Sequence, residues 1–188
     1  MKVGVLSLQG AVEEHLRMIR RCECEAIKVR SIKDLEKVER LILPGGESTA
    51  IGKLAKLYGL DKAIKKKAEE GMPIFGTCAG MILLAAKVVD SKQIGFHLID
   101  IVVERNAFGR QVDSFEADLD INDFEGGSFR AIFIRAPYIK EIGNGVKVLA
   151  KFNGKVVMAQ QKNILVTSFH PELTEDLRIH EYFLNKNY

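Results

Sequence analysis

Pro73-Ile74-Phe75-Gly76-Thr77-Cys78-Ala79-Gly80 decides how this chain is read. Residues 73–76 are a short apolar run of strand type, and residues 79–88 continue as an apolar stretch read as a helix. Between them lies Gly-x-Cys-x-Gly, the pattern of a nucleophile elbow. So tight a turn forces its central residue into a strained backbone, and glycines two places either side leave room for it. The thiol of Cys78 is lifted above the sheet edge at the start of a helix, where partial positive charge favours the thiolate. The rival reading of the cysteine alone is a buried, inert thiol beside an ordinary turn.

Outward from the elbow the same alternation repeats. Residues 2–8, 26–30 and 40–43 read as strands, and residues 11–21, 48–58 and 60–71 as helices, the last closed by Gly71. Crossovers of this length predict a parallel sheet. Downstream, residues 99–104, 114–121, 129–135, 146–152, 156–160 and 164–169 are strand-like. Asn153-Gly154 marks a hairpin between two of them. A final helix is expected after Pro171, with Leu173, Leu177 and Leu184 on one face. The expectation is an α/β fold: a mostly parallel sheet with an antiparallel section added in the second half, in one domain over residues 1–188.

Composition sets the outer bounds. The 188 residues, 47% hydrophobic and 28% charged, can bury a core without staples, which excludes a disordered chain. Twenty-eight Lys and Arg against 25 Asp and Glu leave +3, too little to argue for nucleic acid. No stretch suits a membrane span or a signal peptide, and three cysteines give no disulfide framework. A cytoplasmic protein is expected.

Two further motifs bear on Cys78. In His170-Pro171-Glu172, proline keeps the preceding histidine out of the helical region, so the expectation is an extended segment placing imidazole and carboxylate side by side. That is the base and orienter a nucleophile requires. Pro44-Gly45-Gly46-Glu47-Ser48-Thr49 follows the third strand, and its glycines suit amides converging on an anion. An oxyanion hole needs one such donor, from Gly46, and a second from Ala79, the residue after the nucleophile. No Gly-Lys-Ser/Thr is present, so the loop is not a nucleotide P-loop; an ordinary turn with Ser48 as helix cap is the alternative. Cys22 and Cys24 have no second pair to make a zinc site, and His15, His97 and His180 read as structural or exposed. Gln9-Gly10 lacks the spacing of a dinucleotide-binding loop.

An oxyanion loop, an elbow cysteine and a later His-Pro-Glu, in that order, resemble the triad-type glutamine amidotransferases. More closely, Leu8-Gln9-Gly10, PGGEST at 44–49, GTCAG at 76–80, VVERNAFGRQVDSFEADL at 102–119, FIRAP at 133–137 and SFHPELTED at 168–176 resemble the glutaminase subunits of pyridoxal 5'-phosphate synthase. The resemblance runs over essentially the whole chain. It implies a flavodoxin-like doubly wound sheet, with Cys78 as nucleophile, His170 as acid and base, and Glu172 as its orienter. It further implies that Gly46, Glu47, Ser48, Arg105, Ile134 and Arg135 hold L-glutamine, and that ammonia passes to a separate synthase subunit. Gln9 and Gly10, following the first strand, are expected at the same sheet edge as Gly45-Gly46 and are read on that placement as a candidate activation loop. No metal or cofactor is implied. Service to another ammonia-dependent synthase, or elbow-cysteine hydrolysis of peptides or esters, are the other enzymatic readings, and a non-enzymatic binding module is the third class.

Overall fold

The computed structural model describes residues 1–105 and 114–186. The first half alternates: β1 Lys2–Leu6, α1 Val12–Arg21, β2 Glu25–Val29, α2 Ile32–Leu35, β3 Arg40–Leu43, α3 Ser48–Leu57, α4 Leu60–Glu69, β4 Ile74–Thr77 and α5 Ala79–Leu84. The second half is strand-rich: β5 Ala85–Val88, β6 Ile99–Glu104, β7 Ser114–Leu119, β8 Phe129–Ile134, β9 Tyr138–Ile142, β10 Lys147–Phe152, β11 Lys155–Gln161 and β12 Ile164–Thr167, before α6 Arg178–Asn185.

The main sheet has the order β2-β1-β3-β4-β12-β11-β9-β6-β5, with β10 paired to β11. From β2 to β12 every pairing is parallel. Beyond β12 the pairings with β11, β9 and β6 are antiparallel, and β5 joins β6 in parallel. β7 and β8 form a separate antiparallel pair. The central strands are buried on both faces, and their side chains alternate between two cores. Leu41, Leu43, Ile74, Ile164 and Val166 meet α2, α3, α4 and α5 on one face. Val3, Val5, Ile42, Phe75 and Leu165 meet α1, the β7–β8 pair and α6 on the other. Helices on both faces of a mostly parallel sheet, with an antiparallel extension, are the expected α/β architecture. The Asn153-Gly154 hairpin is also present, both residues lying at positive φ (47° and 76°), as a type I′ turn requires.

Two local expectations are corrected. The helix expected over 79–88 ends at Leu84, and residues 85–88 are β5, in register Ala85 with Ile99 and Val88 with Val103. Every residue of α5 is buried, so the run has no polar face, and an unbroken apolar run does not distinguish helix from buried strand. The helix expected from Pro171 is interrupted. Pro171–Leu173 is a 3-10 turn and Thr174 is extended, while Asp176 accepts the Arg178 amide at the start of α6. Such short polar side chains offer the backbone an alternative to helix. Leu173 is therefore part of the site rather than of the α6 stripe. Two elements carry no sequence expectation: α2, a single turn capped by Ser31, and β9, in which only Ile139 is buried.

Candidate active site

The parallel strands β1, β3, β4 and β12 end on one side of the sheet, and the residues following them enclose a cleft of about 400 Å3. Open α/β sheets keep their sites at this edge.

β4 delivers Cys78, with φ 49° and ψ −100°, a backbone that L-residues adopt only under constraint. Its amide donates to the Thr167 carbonyl at 2.8 Å, and the Ile82 amide returns to its carbonyl at 3.2 Å. The flanking glycines are required by space: a Cβ on Gly76 would lie 2.7 Å from the Gly80 carbonyl carbon, and one on Gly80 2.1 Å from the Leu43 carbonyl oxygen. Ala79 opens α5 directly behind the nucleophile and is buried.

β12 leads to His170, whose amide donates to the Ile132 carbonyl at 2.8 Å, tying it to β8. His170 Nδ1 and Glu172 Oε1 are 2.7 Å apart, with Glu172 fully buried. The expected pairing is present, but the 3-10 turn at Pro171, not a continuous extended segment, brings the two together. Burial acts against charge on the imidazole, yet hydrogen bonding with Cys78 and Glu172 overcomes it and raises the His170 pKa to about 10. Burial likewise works against the Glu172 carboxylate, and His15 and His170 beside it hold the pKa below its usual value. Both shifts favour the imidazolium–carboxylate form of the pair.

β3 leads to Gly45 and Gly46, and Gly45 packs so closely on the imidazole that a Cβ there would lie 2.3 Å from His170 Cε1. Glu47, rather than Ser48, caps α3: its carboxylate accepts the Thr49 and Ala50 amides at 3.1 and 2.7 Å. The Thr49 hydroxyl is the first cause of its lowered pKa. Ser48 is buried and donates to Gln93 Oε1, which also accepts from Arg105 at 3.4 Å. Arg105 lies 3.9 Å from the Glu47 carboxylate, and Arg135 directly follows β8 at φ 41°, a strained position for a non-glycine residue.

Gln9, Gly10, Gly46, Glu47, Ser48, Cys78, Arg105, Ile134, Arg135 and His170 all line the cleft, so those sequence-predicted residues converge on one place. Ala79 and Glu172 are buried next to residues that line it. Of the 102–119 segment quoted for the resemblance, residues 106–113 lie outside the described residues. Sequence reasoning missed Gln93, which joins Ser48 to Arg105, and it missed His15 and Thr77, which meet beneath the site. His15 shares the buried face of α1 with Leu16 and Ile19; a histidine inside an apolar stripe was the available signal. His97, read as structural or exposed, is exposed and pairs with the Ala86 carbonyl. Among the described residues no group of three or more His, Cys, Asp and Glu could hold a metal ion, and no helix is long and apolar enough to cross a membrane.

An elbow cysteine beside a buried His–Glu couple, on a doubly wound sheet, defines the class: an α/β protein with the site arrangement of cysteine-nucleophile enzymes. Comparison with known proteins narrows it. Residues 5–187 match the model of the SNO glutamine amidotransferase family. The chain is 57% identical over 186 residues to "Pyridoxal 5'-phosphate synthase subunit PdxT" of Pelotomaculum thermopropionicum, covering 99% of this chain and 95% of that one. It is 55% identical to the protein of the same name from Pseudothermotoga lettingae, covering 98% and 94%. A crystal structure of a glutamine amidotransferase superposes with TM-score 0.93 at 50% identity, over 97% of both chains. PurLQS of Thermotoga maritima, at 19% identity and TM-score 0.72, shares the fold. The chain belongs to the SNO glutamine amidotransferase family.

Proposed function

We propose that this chain is the glutaminase subunit of a pyridoxal 5'-phosphate synthase, hydrolysing L-glutamine and handing ammonia to a separate synthase subunit. The observation that carries the chemistry is the convergence of Cys78, His170 and Glu172 on one cleft with the Gly46 loop. The service to pyridoxal 5'-phosphate synthesis rests on full-length similarity to the PdxT proteins.

A cationic His170 favours the thiolate of Cys78, which attacks the side-chain amide carbon of glutamine. The carbonyl oxygen becomes a tetrahedral oxyanion, held by the Gly46 and Ala79 amides. As the C–N bond breaks, His170 gives its proton to the departing nitrogen; ammonia leaves and a γ-glutamyl thioester remains. His170, now neutral, takes a proton from water as the oxygen attacks the thioester carbon. Glutamate leaves and the thiolate–imidazolium pair returns. Glu172 fixes the imidazole ring and stabilises its charge. The substrate's α-amino and α-carboxylate groups are assigned to Glu47 and to Arg105 with Arg135, and Ser48 and Ile134 complete the pocket.

The mechanism asks for no metal and no cofactor of the chain itself. The partners are L-glutamine and the synthase subunit, in one cytoplasmic complex, with residues 1–188 acting as a single glutaminase domain. The test is glutamate and ammonia release from glutamine by the chain mixed with its synthase, Cys78→Ala serving as blank. Failure to turn over glutamine in that mixture would overturn the reading.

A further inference from the structure

Beneath the triad, the second oxygen of Glu172 faces α1 rather than the cleft. Oε1 is used by His170, whereas Oε2 is buried without a hydrogen-bond partner, 3.5 Å from His15 Nε2. His15 and His180 are both fully buried, and His15 Nδ1 stands 3.1 Å from His180 Nε2. His15 Nε2 is also 3.1 Å from the hydroxyl of Thr77, the residue before the nucleophile. α1, the end of β4, the turn after β12 and α6 thus meet in one buried polar chain.

The proton positions follow from the charge at its end. Burial keeps His15 and His180 neutral, so each ring has one N–H. If the His15 proton were on Nδ1, the Nε2 lone pair would face the Glu172 carboxylate, lone pair against anion. With the proton on Nε2, His15 donates to the Thr77 hydroxyl at 3.1 Å and turns the positive end of the same N–H to Glu172 Oε2 at 3.5 Å, while its Nδ1 accepts from His180 Nε2–H. His180 Nδ1 is then a buried lone pair, in accord with its lack of a hydrogen-bond partner in the structure. An unpaired acceptor costs less there than an anion facing a lone pair.

We infer that His15 is a positioning residue of the hydrolytic site: its Nε2–H, 3.5 Å from the second oxygen of Glu172, holds that carboxylate electrostatically, and His180 fixes the ring in the tautomer that does so. This rests on the proposed glutaminase reading and deepens it. The base is held by a carboxylate that is itself held, as outer partners hold ligating groups in metal sites. Around this cluster the titratable groups are His170, Glu172, His15, His180, Cys78 from the elbow and, from α1, Glu14. His15 touches neither the cleft nor the substrate, so its effect passes through Glu172 to the His170 imidazolium.

The test compares His15→Leu with His15→Gln, whose amide can still donate toward Glu172, in the full chain with its synthase. Glutamine turnover and iodoacetamide alkylation of Cys78 are both followed against pH. His15→Leu should lower kcat about tenfold with KM unchanged, and weaken the imidazolium so that the alkaline limb of turnover falls by about one pH unit. In the same variant the inflection of Cys78 alkylation should move upward, because the thiolate loses part of its counter-charge. His15→Gln should restore both limbs. His180→Phe, which keeps His15 but frees its tautomer, should shift them partway; it also covers the case in which His15→Leu does not fold. Unmoved limbs in every folded variant, or equal shifts in Leu and Gln, overturn the inference. A wild-type complex inert toward glutamine would overturn the glutaminase reading instead, and the alkylation profile would still decide the role of His15.

Discussion

The side-chain oxygen of Gln9 accepts the backbone amide of Glu47 at 2.7 Å, joining the loop after β1 to the Gly45-Gly46 loop after β3. A second bond, from the Ala11 amide to the Gly45 carbonyl at 3.0 Å, reinforces the first. Gly10, at φ 110°, permits this approach, since a Cβ there would lie 1.9 Å from the Gly45 oxygen. The two loops are one mechanical unit, and one of them contains the proposed oxyanion donor.

Cys78 is expected to be the thiol that a glutamine-analogue electrophile such as diazo-oxo-norleucine labels. Cys22 is a poor competitor, because burial raises its thiol pKa to about 11. Peptide mass mapping after labelling checks this; modification of Cys22 with Cys78 intact would remove the assignment of the nucleophile.

Cys78→Ala should abolish glutamine hydrolysis and His170→Asn should come close to it. Glu172→Gln should be damaging but less complete, because an orienter is partly replaceable and a nucleophile is not. Rates from the three purified variants, each with the synthase present, decide the order; full activity in His170→Asn would place the base elsewhere.

Arg105→Ala and Arg135→Ala should raise KM for glutamine more than they lower kcat. A carboxylate contact remote from the reacting amide is much the same in ground and transition states. Saturation curves that leave KM unchanged in both variants would take the arginines out of the substrate site.

Acid should destabilise this fold earlier than its carboxylates alone would dictate. Burial, with His15 beside it, pushes the His180 pKa down to about 3 from an ordinary 6.5. Between those values the unfolded chain binds a proton that the folded chain refuses, so stability falls as pH falls through that window. The slope is about 1.4 kcal/mol per pH unit for one such proton, and His15 adds in the same direction. Urea unfolding at several pH values should show this slope above about pH 4.5 and a shallower one in His180→Phe. Equal slopes in both proteins would mean that His180 is not the group responsible.

Sequence sufficed where one short motif carries its own geometry. The elbow needs Gly76 and Gly80 for steric reasons local to the turn, and the His170–Glu172 pairing spans two residues, so both were readable before any packing was known. The cleft residues from β1, β3, β6 and β8 were legible through the family resemblance, because no spacing rule links Arg105 to Cys78. What escaped depends on tertiary partners. β5 is a strand because β6 offers it an edge, and nothing in Ala85-Ala86-Lys87-Val88 announces that neighbour. His15 and His180 are 165 residues apart and meet only when α1 and α6 pack on the same face of the sheet.

The isolated chain is expected to hydrolyse glutamine poorly and to be switched on by its partner. Ammonia released to water becomes ammonium and loses its nucleophilicity, so uncoupled turnover would only consume glutamine. The Gly45–Gly46 peptide is the expected seat of the switch, since its N–H is the proposed oxyanion donor and one missing donor typically costs about 100- to 1,000-fold in rate. The same peptide presents its carbonyl to the Ala11 amide, so turning it breaks that bond and loosens the Gln9–Glu47 contact beside it. Its orientation and the position of the Gln9-Gly10 loop therefore form one equilibrium, which a partner bound to that loop can shift. Glutamate production should rise steeply with synthase concentration. In Gln9→Ala, which loses one of the two connecting bonds at about 1 kcal/mol, the ratio of coupled to uncoupled rate should fall about fivefold. A flat curve, with high activity in the absence of synthase, would show that the oxyanion loop is preformed and that the two loops, though bonded, transmit nothing.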